Sequence, residues 1–278
     1  MKLAVVFETN SSQAEKIATA CTDLGYECDC IDIGSIALEV EAGVPDIIRA
    51  AEHFKGYDSV FLQASERLLL FVEPFLEELS ERGISCQLKP TAFNTIANKP
   101  FMFATLNAKG VPTPRMSILS YNTPVESAAK RFNYPILMEA YNGFERVQSI
   151  IIESDLTLKS FLKSLPNYRM LSMKEYHIGD LEESIVIGDE VHTIRRSWNP
   201  EKLAHTEKPF MVKLAEEKNA MIVDAARILG VDIATVRTSG SYVIDISTLV
   251  DLDRFSHVLG TDLSARIVTF YAGKGDQQ

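Results

Sequence analysis

The segment FNYPILMEAYNGFERVQSIII, Phe132 to Ile152, decides how the chain folds. Its apolar first part and its β-branched second part, separated by Asn142-Gly143, predict two strands joined by a short loop. A strand that runs into such a loop can present phosphate-binding groups, and a cation at its end would serve that purpose. The strand ends instead on Glu139, a carboxylate that repels polyphosphate by several kcal/mol at an effective dielectric of ~20. The loop has one glycine, Gly143, while Phe144 and Glu145 hinder the close backbone approach that glycines permit.

On the N-terminal side the pattern is a regular alternation. KLAVVFE reads as a strand, Asn10 to Ser12 offer helix caps, and QAEKIATACTDLG has helical spacing ended by Gly25. CDCIDI, DIIRAAEHF, YDSVFLQA, LLLFVEPFLEELSERG and ISCQL continue the alternation, with DIIRAAEHF in a helix position. A parallel sheet covered by helices follows, which defines an α/β front domain over residues 1–90. The turn after the first strand, FETNSSQAEK, contains no glycine, so a dinucleotide fingerprint is absent.

Beyond Thr91 the texture is α+β. TAFNTIANKPFMFATLNAKG reads as a helix pair broken near Pro100, and VPTPRMSIL as extended chain. A helix in TPVESAAKRFN precedes the opening segment, and a helix in DLTLKSFLKSL and a strand in YRMLSMKEY follow it. SIVIGDEVHTIRRSW and IATVRTSGSYVIDIS are hairpins, with a long helix around MVKLAEEKNAMIVDAARILG between them and a terminal helix in LSARIVTFYAG. This divides the rest into residues 91–170 and 171–278.

The chain has 278 residues, and its 28 Lys and Arg against 38 Asp and Glu give a formal net charge of -10. That charge repels phosphate backbones and anionic membranes, so nucleic acid and membrane surfaces are not expected partners. No secretory h-region or membrane-length apolar run is present. Cys21, Cys28, Cys30 and Cys86 lack zinc spacing and read as reduced thiols, which fits the cytoplasm. The histidines show neither HxH nor HExxH spacing.

Six ordered segments carry a resemblance: NKPFMFATLNAKGVPTP from Asn98, YPILMEAYNG from Tyr134, MKEY from Met173, VIGDEVHTIRRS from Val186, VIDIS from Val243 and GTDLSARI from Gly260. Together they resemble the ATP-grasp superfamily, on the branch of ribosomal-protein glutamate ligases and of the ligases of carrier-protein lysine biosynthesis. The resemblance implies two α+β ATP-grasp subdomains behind the front domain, with ATP and Mg as cofactors. It implies a carboxylate-amine ligase that works through an acyl phosphate on a small carboxylate or amino acid. A carrier protein and a homodimer follow only by analogy.

The resemblance also assigns residues. Lys99 matches the first phosphate-directed lysine, and Glu139 stands where the second should be. Glu175 and Tyr176 match the hinge along adenine, and Arg195 and Arg196 match arginines of which one faces the acyl phosphate. Neighbours on a strand point to opposite faces, so at most one of them serves the site. Asp245 and Ser247 fall at the metal-ligand positions, Ser247 in place of an amide, and Arg237 aligns with the other metal acid. Glu182 and Glu183 occupy positions where an arginine is expected. Glu139 and Arg237 read either as a direct salt bridge closing the site or as solvated surface charges. Two functions stay open: a ligase with altered phosphate and metal ligands, or a catalytically inactive nucleotide-binding or partner protein.

Overall fold

In the computed structural model the described residues are 1–9, 11–49, 52–142, 145–165, 168–199, 201 and 204–275. Asn10, Gly143 and Phe144 lie outside them. The chain opens with β1 (Lys2–Phe7), α1 (Ser11–Asp23) and β2 (Glu27–Asp32). Leu3 to Val6 are almost completely buried, as a strand covered on both faces requires.

Next comes an antiparallel ribbon of β3 (Ile36–Glu41), β4 (Val44–Arg49) and β5 (Glu52–His53). It corrects the helical expectation for DIIRAAEHF. Ala42 and Gly43 take φ of 53° and 84°, which closes a tight turn and zips β4 onto β3 before a helix can propagate. The pattern then resumes with β6 (Ser59–Gln63), α2 (Leu69–Glu81) and β7 (Ser85–Cys86). The first sheet is parallel throughout, in the order β2-β1-β6-β7.

Two helices follow, α3 (Pro90–Ala97) and α4 (Lys99–Ala108), each with a proline in its first turn, where the missing N–H has no intrahelical partner to lose. The break between them falls at Asn98, whose side chain accepts the Phe101 N–H. The central sheet is built from β8 (Met116–Ser120), α5 (Val125–Ala129), β9 (Ile136–Asn142), β10 (Glu145–Ile152), α6 (Asp155–Ser164) and β11 (Met170–Glu175), in the antiparallel strand order β10-β9-β11-β8. Ile136, Met138, Ala140, Leu171 and Met173 alternate onto one face and form a core with Val125, Ala128, Leu158 and Phe161. By the same alternation Leu137, Glu139, Ser172 and Lys174 share the opposite face, with Ser172 paired to Glu139 and Lys174 to Leu137.

The third sheet comprises β12 (Leu181–Ile187), β13 (Glu190–Arg196), β16 (Phe210–Val212), β17 (Ile233–Ser239) and β18 (Tyr242–Ser247), with a small ribbon, β14 (Trp198–Asn199) and β15 (Ala204–His205), beside it. MVK, expected at the start of the long helix, overlaps β16, because Met211 and Val212 pair with Ile194 and Thr193. The helix itself is α7 (Glu216–Ile228). Two helices close the chain, α8 (Leu252–Leu259) and α9 (Leu263–Gly275).

The first and third sheets share their interior. One cluster joins Val6 and Leu62 to Val186, Ile222 and Val236, and a second joins Val5 and Ile17 to Ile185, Phe255 and Ile267. The central sheet keeps a core of its own. Gln87, fully buried, donates its amide to the Leu62 carbonyl at 2.6 Å and accepts the Leu62 N–H at 3.1 Å. The hydroxyl of Tyr271, on α9, lies 2.8 Å from the Val60 carbonyl and 3.1 Å from the Gln87 amide oxygen. All four cysteines are free thiols. Among the described residues no helix is long and apolar enough to cross a membrane.

Candidate functional site

The third sheet gathers most of the charged groups singled out in the sequence, and its pleat sorts them. On β13, Arg196 donates to Glu183 at 3.2 Å, whereas Arg195 donates to Glu182 at 2.7 Å. Arg195 and Glu182 share a face with Lys218 of α7, and the Thr238 hydroxyl also donates to Glu182, at 2.8 Å. Arg196 and Glu183 share the other face with Arg237 and Asp245. The alternation expected for the arginine pair therefore holds.

On that second face the charges form a chain. Lys99, at the start of α4, places its ammonium 2.9 Å from Asp245, 3.0 Å from Glu66 and 2.9 Å from the Ile246 carbonyl. Asp245 accepts from Arg237 at 2.9 Å, and Arg237 Nε donates to Glu183 at 3.1 Å. Glu183 also receives both Nη groups of Arg254, at 3.2 and 2.9 Å. With its side chain 2% exposed, it is the hub of three guanidinium groups.

Burial alone would favour protonated carboxyls here. The cations overcome it: Lys99 and Arg237 hold Asp245 below the usual carboxylate range, and Arg254 and Arg237 do the same for Glu183. Burial would also depress Lys99, yet Asp245 and Glu66 keep its ammonium above the ordinary lysine range.

The central sheet faces this chain with fewer charges. Glu139 is 9% exposed, so the solvated alternative is wrong, and its carboxylate accepts from the Tyr141 hydroxyl at 3.1 Å. The direct salt bridge to Arg237 is also corrected, since among the described residues Arg237 forms its ion pairs with Glu183 and Asp245. What lies between the two sides is Lys174. Its ammonium donates to the Ile244 carbonyl at 3.2 Å, sits 5.6 Å from the Phe103 ring centroid, and feels both Asp245 and Glu139. Burial outweighs both acids and pushes its pKa down. Sequence reasoning passed over Lys174 within MKEY, although its place two residues beyond Ser172 on one strand puts both on the Glu139 face.

The remaining assigned residues fall around this cluster. Glu175 folds back on Arg115, accepting its N–H at 3.2 Å, and Tyr176 meets the Trp198 ring edge-on, with centroids 6.4 Å apart. Trp198 also packs against His205. The Ser247 hydroxyl accepts the Leu249 N–H at 3.2 Å, and Ser247 lines a cavity of about 450 Å³ beside Arg237. Arg254, on α8, was not singled out in the sequence. Its signal is the N-cap Asp251, which accepts the Arg254 N–H at 3.1 Å and fixes the first turn that aims the guanidinium inward. Among the described residues no group of three or more His, Cys, Asp or Glu side chains is arranged to hold a metal.

Comparison with known proteins places this geometry in context. No family model matches the chain. A protein of Vibrio parahaemolyticus named probable alpha-L-glutamate ligase is 18% identical, over 97% of this chain and 95% of its own length. The ATP-grasp ligase PsnB, solved with its precursor peptide PsnA2 and AMPPNP, superposes with a TM-score of 0.74 at 15% identity, over 98% of this chain and 96% of that one. The RimK domain protein ATP-grasp of Sphaerobacter thermophilus gives 0.73 at 15% identity, over 97% and 99%. The chain therefore has the fold of these ATP-grasp ligases, and along nearly its whole length it is similar in sequence to the probable alpha-L-glutamate ligases.

Proposed function

We propose that the protein is a non-catalytic binding or partner member of this ligase superfamily, one that does not take Mg-ATP into the cleft between its central and third sheets. The observation that carries the reading is Asp245 held between Lys99 and Arg237, each 2.9 Å away. A divalent ion roughly 5 Å from a fixed monovalent cation is repelled by about 7 kcal/mol at an effective dielectric of ~20, and here there are two such cations. Ser247 is a weaker ligand than an amide, and its hydroxyl is engaged by Leu249. The cations suited to polyphosphate, Lys99 and Arg196, are neutralised by Glu66, Asp245 and Glu183. The residues present do not fit a metal-bound triphosphate, so no step of a ligation is derived through one.

Thermal unfolding with and without Mg-ATP tests this. The expected outcome is an unchanged transition. A stabilisation approaching the ~2.7 kcal/mol of a ligand at about 100 times its Kd would sink the reading. A response to ADP or AMP that needs no magnesium would identify the protein as a nucleotide-binding member.

One observation favours the second reading, an altered ligase for a small carboxylate, an amino acid or a peptide. Lys174 is a lysine of depressed pKa on the Glu139 face, with a carbonyl as its hydrogen-bond acceptor, and could supply the phosphate-directed charge that Glu139 does not. That reading predicts loss of the Mg-ATP response in Lys174→Met.

A further inference from the structure

Three of the four free thiols meet at one place outside the charged cluster, between α1 and the edge strand β2 of the first sheet. Cys28 and Cys30 lie two positions apart on β2, beside Leu3 and Val5 of β1, so the pleat turns both toward the same layer. That layer is α1, whose Ala14, Ile17 and Cys21 pack with Leu3 and Val5. Gly25 takes a φ of 77°, and the Tyr26 N–H donates to the Cys21 carbonyl at 2.8 Å. This tight return lays the start of β2 under the last turn of α1 and brings Cys21 to Cys28.

The sulfurs differ in access and in proton affinity. Cys21 is fully buried, whereas Cys28 and Cys30 are half-buried. The Cys28 S–H, directed at the Cys21 sulfur, holds the Cys21 thiol below its ordinary range against the effect of burial. The same contact, together with burial, pushes Cys28 up, and burial pushes Cys30 up as well. Cys86 is the contrast: it packs in the other cluster, donates to the Gln87 amide oxygen at 3.2 Å, and burial pushes its thiol up to about 12. A thiolate held by a neighbouring S–H is the arrangement of a reactive dithiol, while an isolated thiol in apolar surroundings is inert. Of the two possible partners of Cys28, Cys21 is the one that geometry permits. Residues two apart on an extended strand have Cα atoms roughly 6.6–7 Å apart and parallel side chains, at or past the limit for a disulfide.

We propose that Cys21 and Cys28 form a reversible disulfide, a modification site whose oxidant is hydrogen peroxide. Once the pair has lost its first proton, either sulfur can carry the charge, and Cys28 is the one that solvent reaches. Its thiolate attacks one peroxide oxygen, gives a sulfenic acid and expels hydroxide. The Cys21 sulfur then attacks the sulfenic sulfur, the S–S bond forms, and the second oxygen leaves as water with the remaining proton. Two thiols are oxidised and one peroxide is reduced to two waters. The bond ties α1 to β2 across a loop of about eight residues, and a dithiol reductant reverses it by exchange. The site is separate from the nucleotide cleft and stands whether or not Mg-ATP binds there.

Treating the whole protein with hydrogen peroxide, then alkylating the remaining thiols and analysing a non-reduced digest by mass, tests it. The expected result is a loss of two of the four free thiols, with one peptide pair joined through Cys21 and Cys28, alkylated Cys30 and Cys86, and full recovery of the thiols in dithiothreitol. Cys28→Ser changes a half-buried position and should lose no thiol to peroxide, whereas Cys30→Ser should still form the link. Four alkylated cysteines after peroxide, a link through Cys30 or between two chains, or Cys28 oxidised past the sulfenic stage without a link would overturn the site. A Cys28→Ser protein that still loses two thiols would overturn it equally.

Discussion

Side by side on β12, Glu182 and Glu183 point to opposite faces of the third sheet, and they differ in where their compensating charge comes from. Glu182 is served by Arg195, Thr238 and Lys218, all from the sheet or the helix packed on it. Two of those partners have other acceptors: Asp180 lies 3.8 Å from Arg195, and Lys218 donates to the Gly240 carbonyl at 2.6 Å. Glu183 draws guanidinium groups from β13, β17 and α8 and, through Arg237 and Asp245, is linked to α4. One carboxylate fastens a sheet to its own helix. The other joins four elements.

The largest break in this comparison should come from Glu183→Gln. It leaves three guanidinium groups around a neutral amide, and a loss of about 3 kcal/mol in urea unfolding is expected, the lower end for a broken buried pair because the arginines are about one-third exposed. Glu182→Gln should cost less, about 2 kcal/mol, since its partners keep alternatives. Equal losses would show that the two faces are energetically alike.

A second, somewhat smaller effect sharpens the comparison by reversing it. Replacing Glu139 by Lys, Arg237 by Asp and Ser247 by Asn together gives the cleft between the central and third sheets the ligand types that the resemblance implies. Mg-ATP should then stabilise the triple variant by up to about 2.7 kcal/mol at saturating excess, measured by thermal unfolding. An unresponsive triple variant would mean that the obstacle lies beyond these three side chains.

The smallest effect is in the acid limb. Asp245, Glu182 and Glu183 are all held below their ordinary pKa values in the folded chain. Each therefore contributes stability that is fully present above the unfolded values of about 4 and is lost as pH falls through the folded ones. Stability followed by urea unfolding below about pH 4 should fall more shallowly in Glu183→Gln than in the parent. A parallel slope would remove the carboxylate from the acid transition.

Much of the fold was legible because the cores are written in local periodicity. The run LAVVF, the alternation in YPILMEAY and the turn residues of both C-terminal hairpins each admit one local solution. The misses came where tertiary or turn geometry overrode a pattern: Ala42-Gly43 turned a helix-like stretch into β4, and Met211 and Val212 joined an edge strand. At the site, sequence singled out Glu139 and Arg237, but neither of the two arrangements it offered for them, a direct pair or solvated charges, is the one found. Partner choice between charges depends on which side chains meet across sheets, and no local spacing encodes that Arg254, in the first turn of a short helix, reaches Glu183. Lys174 was legible in principle from the β-strand pleat alone.

The Gln87 amide carries a consequence for synthesis. It substitutes for a missing strand rung beside Leu62, and Tyr271, which lies against it, is made 184 residues later. As the chain leaves the ribosome from its N-terminus, the first sheet must wait for α9 before that polar group is sealed from water. Early segments are exposed meanwhile, so removing α9 should harm the first sheet as much as the third.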